Sequence, residues 1–380
     1  MARVNFWSRP SGDSKRPASR SIPSLDGLRA ISVGMVILSH FMGFSNLSTH
    51  GLVHTVLSVA GQGGLGVSTF FVISGFLITT LLLNELDHHG DINLRRFYFR
   101  RSLRIFPPYY VYLAVAALVG YLALHPIPVH AFIAAAAYVS NYYPYIYSQP
   151  GSTGWAVGHT WSLSVEEQFY LFWPLLLVMF ARKSALKCGL GIMVVAPILR
   201  LLTYCLLPIY GEEEQWLRLF HTSIDILMAG CMLAFLVRRP DFKERVQRYF
   251  NPAILGVAVA YLLLANFILR RAPSWFEALF GVTLTTLSIA ILLLYVVIRH
   301  ESPAGRVLNW APLRHVGMIS YSLYLWQQMF LGPFHEPSRL SMVFAAFACA
   351  ELSYWVVERP SMRFRSRLEK KLGFLESSKS

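Results

Sequence analysis

The chain has 380 residues, of which 55% are hydrophobic and only 14% are charged, with a net charge of +14. This composition excludes an ordinary soluble domain, and the length far exceeds that of a single membrane anchor. We therefore predict an all-α polytopic membrane bundle. Because the basic residues stand in short blocks between apolar runs, we attribute the charge to membrane topology and exclude nucleic acid as a partner.

The two ends of the chain are polar. Residues 1–21 are rich in Arg, Ser and Pro and lack the apolar core of a removable signal peptide, so we expect a disordered basic cytoplasmic tail. Residues 362–380 are predicted to be a basic cytoplasmic C-terminal tail. Residues 22–361 then form one membrane domain.

Ten apolar stretches have about the 20 residues that a helix needs to cross the hydrocarbon core. Residues 129–143 are a further candidate, but this segment is short and has no flanking cations. The ten predicted spans are residues 26–45, 65–84, 105–124, 161–181, 188–209, 221–237, 252–269, 276–298, 315–332 and 339–357.

The positive-inside rule sets the predicted orientation, because short cytoplasmic loops carry an excess of Lys and Arg. With ten spans and both termini in the cytoplasm, all but five of the 34 Lys and Arg residues lie on the cytoplasmic side. A crossing at 129–143 would move the basic blocks 238–248 and 359–371 outside. We therefore expect 129–143 to be an extracytoplasmic loop or a half-embedded helix.

The first span contains Asp26, Arg29 and His40, and ionisable groups in a bilayer usually face a cavity or a partner. Arg29 and His40 are 11 residues apart, so they share a helix face and lie roughly 16 Å apart along the axis. We expect both to line one wall of a polar channel, with Arg29 nearer the cytoplasm. The alternative is that Arg29 snorkels and His40 bonds to a neighbouring helix.

Five arginines crowd the segment LRRFYFRRSLRIFPPYY before the third span. By itself such a cluster obeys the positive-inside rule or contacts anionic lipid. Arginine at every position also favours bidentate recognition of phosphates, such as those of coenzyme A. We expect Pro107 and Pro108 to lie in the first turn of the next helix, where a missing N–H group costs nothing. The arginines are Arg95, Arg96, Arg100, Arg101 and Arg104.

The motif GHTWSLSVEEQFYLFWP places Glu166 and Glu167 near the predicted outer start of a span. A partly desolvated carboxylate there can orient an imidazole or exchange protons with it, whereas a solvated carboxylate is the alternative. Glu166 has the stronger case because it stands four residues before Tyr170, on an aromatic face. Ser162 and Ser164 offer further hydrogen bonds.

Weaker signals lie elsewhere in the apolar segments. Asp225 is expected to pair with a cation, either Arg200 or an arginine of the first loop. Gly75 and Gly230 favour close helix approach. No metal site is expected, because the one pair with helical metal spacing, His50 and His54, lies in a polar loop without a third ligand.

These motifs occur together, in this order, in the acyltransferase 3 family of membrane-bound acyltransferases, which modify bacterial surface glycans and some secreted metabolites. The chain resembles that family over residues 22–361. The resemblance implies acyl-CoA as the donor, with acetyl-CoA as the default, a carbohydrate or glycosylated acceptor, and a location among the lipids of the bacterial inner membrane. The matching stretches are SLDGLRAISVGMVILSH, GVSTFFVISGFLIT, RRSLRIFPPYY, WSLSVEEQFYLFWPLLL, DILMAGCMLAFL, ISYSLYLWQ and VVERP.

The resemblance also implies roles for individual residues. Arg29 and His40 correspond to the family's essential cation and histidine, Arg101 and Arg104 to its Arg-x-x-Arg motif, and Glu166 to its motif glutamate. We hypothesise that the arginines hold the coenzyme A phosphates while the pantetheine arm passes Arg29. His40, held by Glu166, then acts as general base on the acceptor hydroxyl, and an acyl-histidine relay ranks second.

The chain departs from the family near its end. Many members read Tyr-Leu-Trp-His-Trp-Pro, whereas Gln327 and Gln328 follow Trp326 here. This departure argues against a mechanism that relies on a histidine in the late span.

A proton-coupled transporter or flippase is the alternative from another class. Arg29, His40 and Asp225 would form its proton relay. The arginine cluster beside a span favours the acyltransferase, because a proton relay does not need it. A purely structural scaffold does not explain why costly charges share one helix face.

Overall fold

The computed structural model describes residues 24–44, 56–57, 59–122, 127–143, 155–180, 182–207, 212–249, 251–269, 271–332 and 340–371. Within these ranges the chain is helical and contains no β-strand. The predicted N-terminal tail, His50 and His54 lie outside the described residues.

Most of the described residues lie in α-helices. Two 3₁₀ turns, Ser140–Tyr142 and Glu212–Leu217, and two π-helical turns, Glu277–Gly281 and Tyr354–Glu358, interrupt or join them. The α-helices are α1 (Leu25–Phe44), α2 (Gly63–His89), α3 (Leu94–Leu122), α4 (Val129–Ala136), α5 (Trp155–Gly158), α6 (Thr160–Met179), α7 (Arg182–Leu206), α8 (Phe220–Val237), α9 (Pro240–Tyr249), α10 (Pro252–Leu269), α11 (Ser274–Phe276), α12 (Val282–Ile298), α13 (Pro303–Leu308), α14 (Ala311–Phe330), α15 (Leu340–Ser353) and α16 (Arg359–Lys371).

The protein is a multi-pass membrane protein. Every predicted span coincides with a helix, and seven helices of the described chain are long and apolar enough to cross a bilayer, or eight if α9 and α10 form one bent span. Helices α6 and α14 are not among them. Glu166 and Glu167 interrupt the apolar character of α6, and Arg314, His315, Gln327 and Gln328 interrupt that of α14. The count of ten spans therefore stays a prediction, and so does the orientation of the termini.

Residues 129–143 form only a short helix and a 3₁₀ turn. The eight residues of α4 make a helix of about 12 Å, less than half of a hydrocarbon core of about 30 Å. Tyr109 and Tyr110 of α3 donate hydrogen bonds to the carbonyls of Ala135 and Ala136, at 2.8 and 3.0 Å. These bonds satisfy the end of α4 and hold it against α3.

Glycines set the closest helix contacts, as predicted for α2 and α8. A Cβ atom added at Gly75 would lie 1.9 Å from the carbonyl oxygen of Leu227, and one at Gly230 would lie 2.0 Å from that of Val72. Only glycine permits backbones to approach this closely. Gly317 brings α14 equally close to the start of α1, since a Cβ atom there would lie 1.9 Å from the carbonyl oxygen of Asp26.

The prediction for Pro107 and Pro108 was wrong. Helix α3 begins at Leu94, so both prolines lie inside it rather than in its first turn. Two missing N–H groups remove the helical bonds to the carbonyls four residues earlier, but Tyr321 donates a hydrogen bond of 2.9 Å to the neighbouring carbonyl of Ile105. The arginine-rich segment is therefore helical, and its side chains project from one rigid element.

Candidate active site

Helix α1 presents two polar side chains to the bundle, and each meets a different group of residues. Asp26 and Arg29 form an ion pair of 4.0 Å at one end. The Nδ1 atom of His40 lies 2.8 Å from Oε1 of Gln327 at the other end. Both Arg29 and His40 are half-buried. We call the two regions the arginine end and the histidine end.

At the arginine end, α3 brings two further guanidiniums to Arg29. Arg101 lies over the ring of Tyr170, 4.6 Å from its centre. Arg104 is within electrostatic range of both Arg29 and Arg101. All three arginines are half-buried, so they remain open to a ligand. The structure thus brings together the three residues predicted to bind the donor.

Two carboxylates of α6 partly balance the positive charge of these arginines. Glu166 lies within electrostatic range of Arg29 and Arg101, and Tyr170 donates a long hydrogen bond of 3.4 Å to it. The Tyr170 hydroxyl is also 2.6 Å from Oγ of Ser74. Glu167 lies within range of Arg101. Glu166 is six residues inside α6, about 9 Å below its first residue, so it reaches the arginine end.

A third carboxylate, Glu358, was missed by the sequence analysis. It closes the π-helical turn before α16, is only 1% exposed, and accepts a hydrogen bond of 3.0 Å from Oγ of Ser322. Its charge acts on Arg104 and Arg29. The signal was present in the stretch VVERP, where an acidic residue ends an apolar run.

The predicted contact between Glu166 and His40 is not found among the described residues. His40 pairs instead with Gln327, which is fully buried. The amide nitrogen of Gln327 faces Oε1 of Gln328, 3.3 Å away, and this fixes the amide oxygen toward the imidazole. Nδ1 of His40 therefore donates, and in the neutral imidazole Nε2 is then unprotonated and able to accept a proton. Glu166 lies instead at the arginine end, within electrostatic range of Arg29 and Arg101.

His159 is a second imidazole at the histidine end, and it was also missed. It is 4% exposed, and its ring lies edge-on to that of Tyr112 and tilted by 57° against that of Tyr324. Neither ring nitrogen meets hydrogen-bond geometry within the described chain, although the backbone of Leu325 is close. It lies within electrostatic range of His40. A buried polar group without a strong partner is unusual and often indicates a ligand or water.

The two predicted serines lie on different sides of α6. Oγ of Ser162 is 2.6 Å from the hydroxyl of Tyr324, which donates to the carbonyl of His159 at 3.1 Å. Ser162 thus braces the histidine end. Ser164 instead contacts Oγ of Ser140 at 2.9 Å, outside both regions.

Asp225 lies apart from both ends. Its Oδ1 atom accepts a hydrogen bond of 2.6 Å from Arg200, and Arg200 also donates to the carbonyls of Thr222 and Ala278, at 2.7 and 3.1 Å. The two side chains are 0% and 3% exposed. The pair links α7 to α8 and to the π-helical turn before α12, so its geometry is that of a structural bond.

Comparison with known proteins gives the family. The model described as "Acyltransferase domain" matches residues 22–356. The chain belongs to the acyltransferase 3 family. This match covers α1, Arg101, Arg104, Glu166 and Gln327, and it ends two residues before Glu358.

The relatives are named as O-acetyltransferases. The chain is 32% identical to "Putative O-acetyltransferase SACOL0978" of Staphylococcus aureus (strain COL), over 93% of this chain and 59% of the relative. It is 27% identical to "Peptidoglycan O-acetyltransferase OatA" of Listeria monocytogenes, over 91% of this chain and 56% of the relative. It is 28% identical to "O-acetyltransferase OatA" of S. aureus (strain MRSA252), over 96% and 61%.

The chain spans about three fifths of the length of these relatives. No solved structure matches it. Within the described residues, no three side chains of His, Cys, Asp or Glu are arranged to hold a metal ion.

Proposed function

We propose that this protein is a membrane O-acyltransferase that transfers an acyl group, by default acetyl, from acyl-CoA to a hydroxyl. The observation that carries this proposal is the arrangement along α1, with half-buried guanidiniums at one end and an imidazole with an available Nε2 at the other. Roughly 16 Å separates the two ends. A thioester on a pantetheine arm spans such a distance while its charged nucleotide stays outside.

The arginine end is proposed to hold the donor. Arg101 and Arg104 bind the phosphates of coenzyme A, and Arg29 lies beside the path of the pantetheine arm. Arginine suits this role because its planar guanidinium binds phosphate oxygens in a bidentate manner. Glu166 and Glu358 keep the guanidiniums oriented before the donor arrives, which lowers the cost of ordering them.

The histidine end is proposed to carry the chemistry. Nε2 of His40 accepts the proton of the acceptor hydroxyl as its oxygen forms a bond to the thioester carbonyl. The tetrahedral intermediate then breaks its C–S bond, and the departing thiolate takes the proton from the imidazolium. Gln327 replaces Glu166 as the residue that orients His40. An acyl-histidine intermediate remains the second-ranked route.

The acceptor is proposed to be a carbohydrate or a glycosylated molecule at or across the bacterial inner membrane. The name of the Listeria relative supports this class, since it specifies peptidoglycan. His159 is suited to bind a sugar hydroxyl, because its buried ring offers a donor and an acceptor with no strong partner in the described chain.

The contacts of Asp225 argue against a proton relay, on which the transporter alternative depends. Asp225 is fully engaged by Arg200, and no contact of it with Arg29 or His40 is found among the described residues. A proton path through these three groups would first have to break a buried ion pair.

Acetyl transfer by the full-length protein in lipid nanodiscs tests the proposal. Purified protein is given radiolabelled acetyl-CoA and peptidoglycan fragments, and labelled product is counted for the wild type, His40→Gln and His88→Gln. His88 is an exposed histidine at the end of α2 and serves as the matched control. We expect His40→Gln to lower the rate by about 10²- to 10⁴-fold and His88→Gln to leave it unchanged. Undiminished transfer by His40→Gln would remove the proposed base.

A further inference from the structure

The start of α3 is covered by α16, through a buried carboxylate. Glu369 is only 7% exposed, although the surrounding residues of α16 are strongly basic. Arg100 donates from Nε to Oε1 of Glu369 at 2.6 Å and from Nη2 to Oε2 at 2.9 Å. This is a bidentate pair, the same geometry by which arginine binds a phosphate group.

Positive charge exceeds negative charge around this pair. Nε of Arg365 lies 3.7 Å from Oε1 of Glu369, and Arg96 is also within electrostatic range of the carboxylate. Three guanidiniums thus surround one carboxylate. A phosphate monoester carries a charge of about −1.5 to −2 at pH 7, which balances this excess better than a carboxylate does.

The pair also lies beside the proposed donor site. Arg365 is within electrostatic range of Arg100, Arg101 and Arg104. Arg100 and Arg104 are one helical turn apart on α3, so their Cα atoms are separated by about 6 Å along the axis. Coenzyme A carries a diphosphate and, on its ribose, a separate 3′-phosphate monoester. Two neighbouring groups of arginines match these two phosphate groups.

We propose that Arg100 and Arg365 bind the 3′-phosphate of coenzyme A, and that Glu369 occupies their guanidiniums while the donor is absent. This proposal rests on the proposed function and adds the C-terminal helix to the donor site. Donor binding displaces the Glu369 carboxylate, so Arg100 and Arg365 exchange a carboxylate of α16 for the phosphate of the donor. A lipid phosphate has the same chemistry, but the low exposure of Glu369 favours the soluble donor.

Binding of coenzyme A and of 3′-dephospho-coenzyme A to the full-length protein tests this assignment. Isothermal titration is carried out in phosphatidylcholine nanodiscs with the wild type, Arg365→Gln, Glu369→Gln and the control Arg245→Gln, an exposed arginine of α9. The wild type is expected to bind coenzyme A about 10- to 100-fold more tightly than the dephosphorylated form. Arg365→Gln loses this preference, Glu369→Gln strengthens coenzyme A binding several-fold, and Arg245→Gln changes neither the preference nor the affinity.

The outcomes separate this inference from the function beneath it. If the wild type transfers acetyl groups but binds both ligands equally, the 3′-phosphate site is wrong and the proposed function stands. If it binds neither ligand, both proposals fail. An equal weakening of both ligands in Arg365→Gln would indicate structural damage and overturn the assignment. A preference that changes with added phosphatidylglycerol but not with Arg365 would assign the site to a lipid phosphate instead.

Discussion

Two sets of charges lie within the helical bundle, and they differ in how completely the chain satisfies them. Arg200 and Asp225 are 0% and 3% exposed, and Arg200 makes three hydrogen bonds to protein oxygens. Arg29 and Asp26 are 17% and 30% exposed, and their ion pair is long, at 4.0 Å. Closed charges hold helices together, whereas half-open charges are available to a ligand. The exposure of each ion pair therefore distinguishes charges that stabilise the fold from charges that can bind a ligand.

Loss of the buried ion pair between Arg200 and Asp225 should destabilise the protein. Asp225→Ala leaves the buried guanidinium of Arg200 without its counter-charge, and we expect a loss of about 3–5 kcal/mol in the free energy of unfolding. Chemical denaturation in nanodiscs measures this loss. Asp241→Ala removes a carboxylate from an exposed ion pair with Arg239 and should leave the transition unchanged. If Asp225→Ala unfolded at the same denaturant concentration as the wild type, this ion pair would not stabilise the fold.

Substitutions at the histidine end should lower activity rather than stability. His159→Phe removes both ring nitrogens, so we expect transfer to fall about tenfold through the loss of a hydrogen bond to the acceptor. The acetyl-CoA affinity should not change, and His159→Gln should recover part of the rate. Kinetics with varied acceptor concentration measure this effect. A structural role would appear as equal losses in both variants with a lowered melting temperature.

Gln327 gives a finer test of the same end. Gln327→Ala frees Nδ1 of His40 and no longer fixes the tautomer, so kcat should fall about five- to tenfold while the KM for acetyl-CoA stays constant. The exposed residue Gln247 provides the control variant Gln247→Ala. A change in KM alone would indicate that Gln327 acts on the donor and not on the base.

Ionic strength should produce the smallest effect, and only at the arginine end. Because Arg101 and Arg104 are half-exposed, salt screens their attraction for phosphates, and acetyl-CoA affinity should fall several-fold between low and high salt. The slope should be smaller in Arg101→Gln/Arg104→Gln and unchanged in His40→Gln. An affinity independent of salt would contradict charge-based donor binding.

Sequence patterns were sufficient to predict features that depend on a single helix or on the high cost of burying an unpaired charge. The helices follow from apolar length, and the shared face of Arg29 and His40 follows from helical periodicity. The pair of Asp225 with Arg200 was one of two stated options, because a buried carboxylate needs a cation. The family motifs were equally local. Except for VVERP, which passes from the π-helical turn Tyr354–Glu358 into α16, and for Ser24, which precedes α1, each lies within a single helix.

Contacts between distant helices were beyond that reasoning. Gln327 is 287 residues from His40, and no periodicity places it beside the imidazole. Glu166 was assigned to the histidine because its depth in α6 was not known. His159 was overlooked because a helix-capping position gave no sign of burial, and the prolines misled because α3 continues through them.

The central claim is that donor binding and chemistry lie at opposite ends of α1. Titration of acetyl-CoA into His40→Gln and into Arg101→Gln/Arg104→Gln, together with the turnover of each, tests it most directly. We predict that His40→Gln retains wild-type affinity and loses turnover, whereas the double variant loses about 10- to 100-fold in affinity. If instead His40→Gln loses affinity and the double variant retains it, the two ends do not have the roles assigned to them.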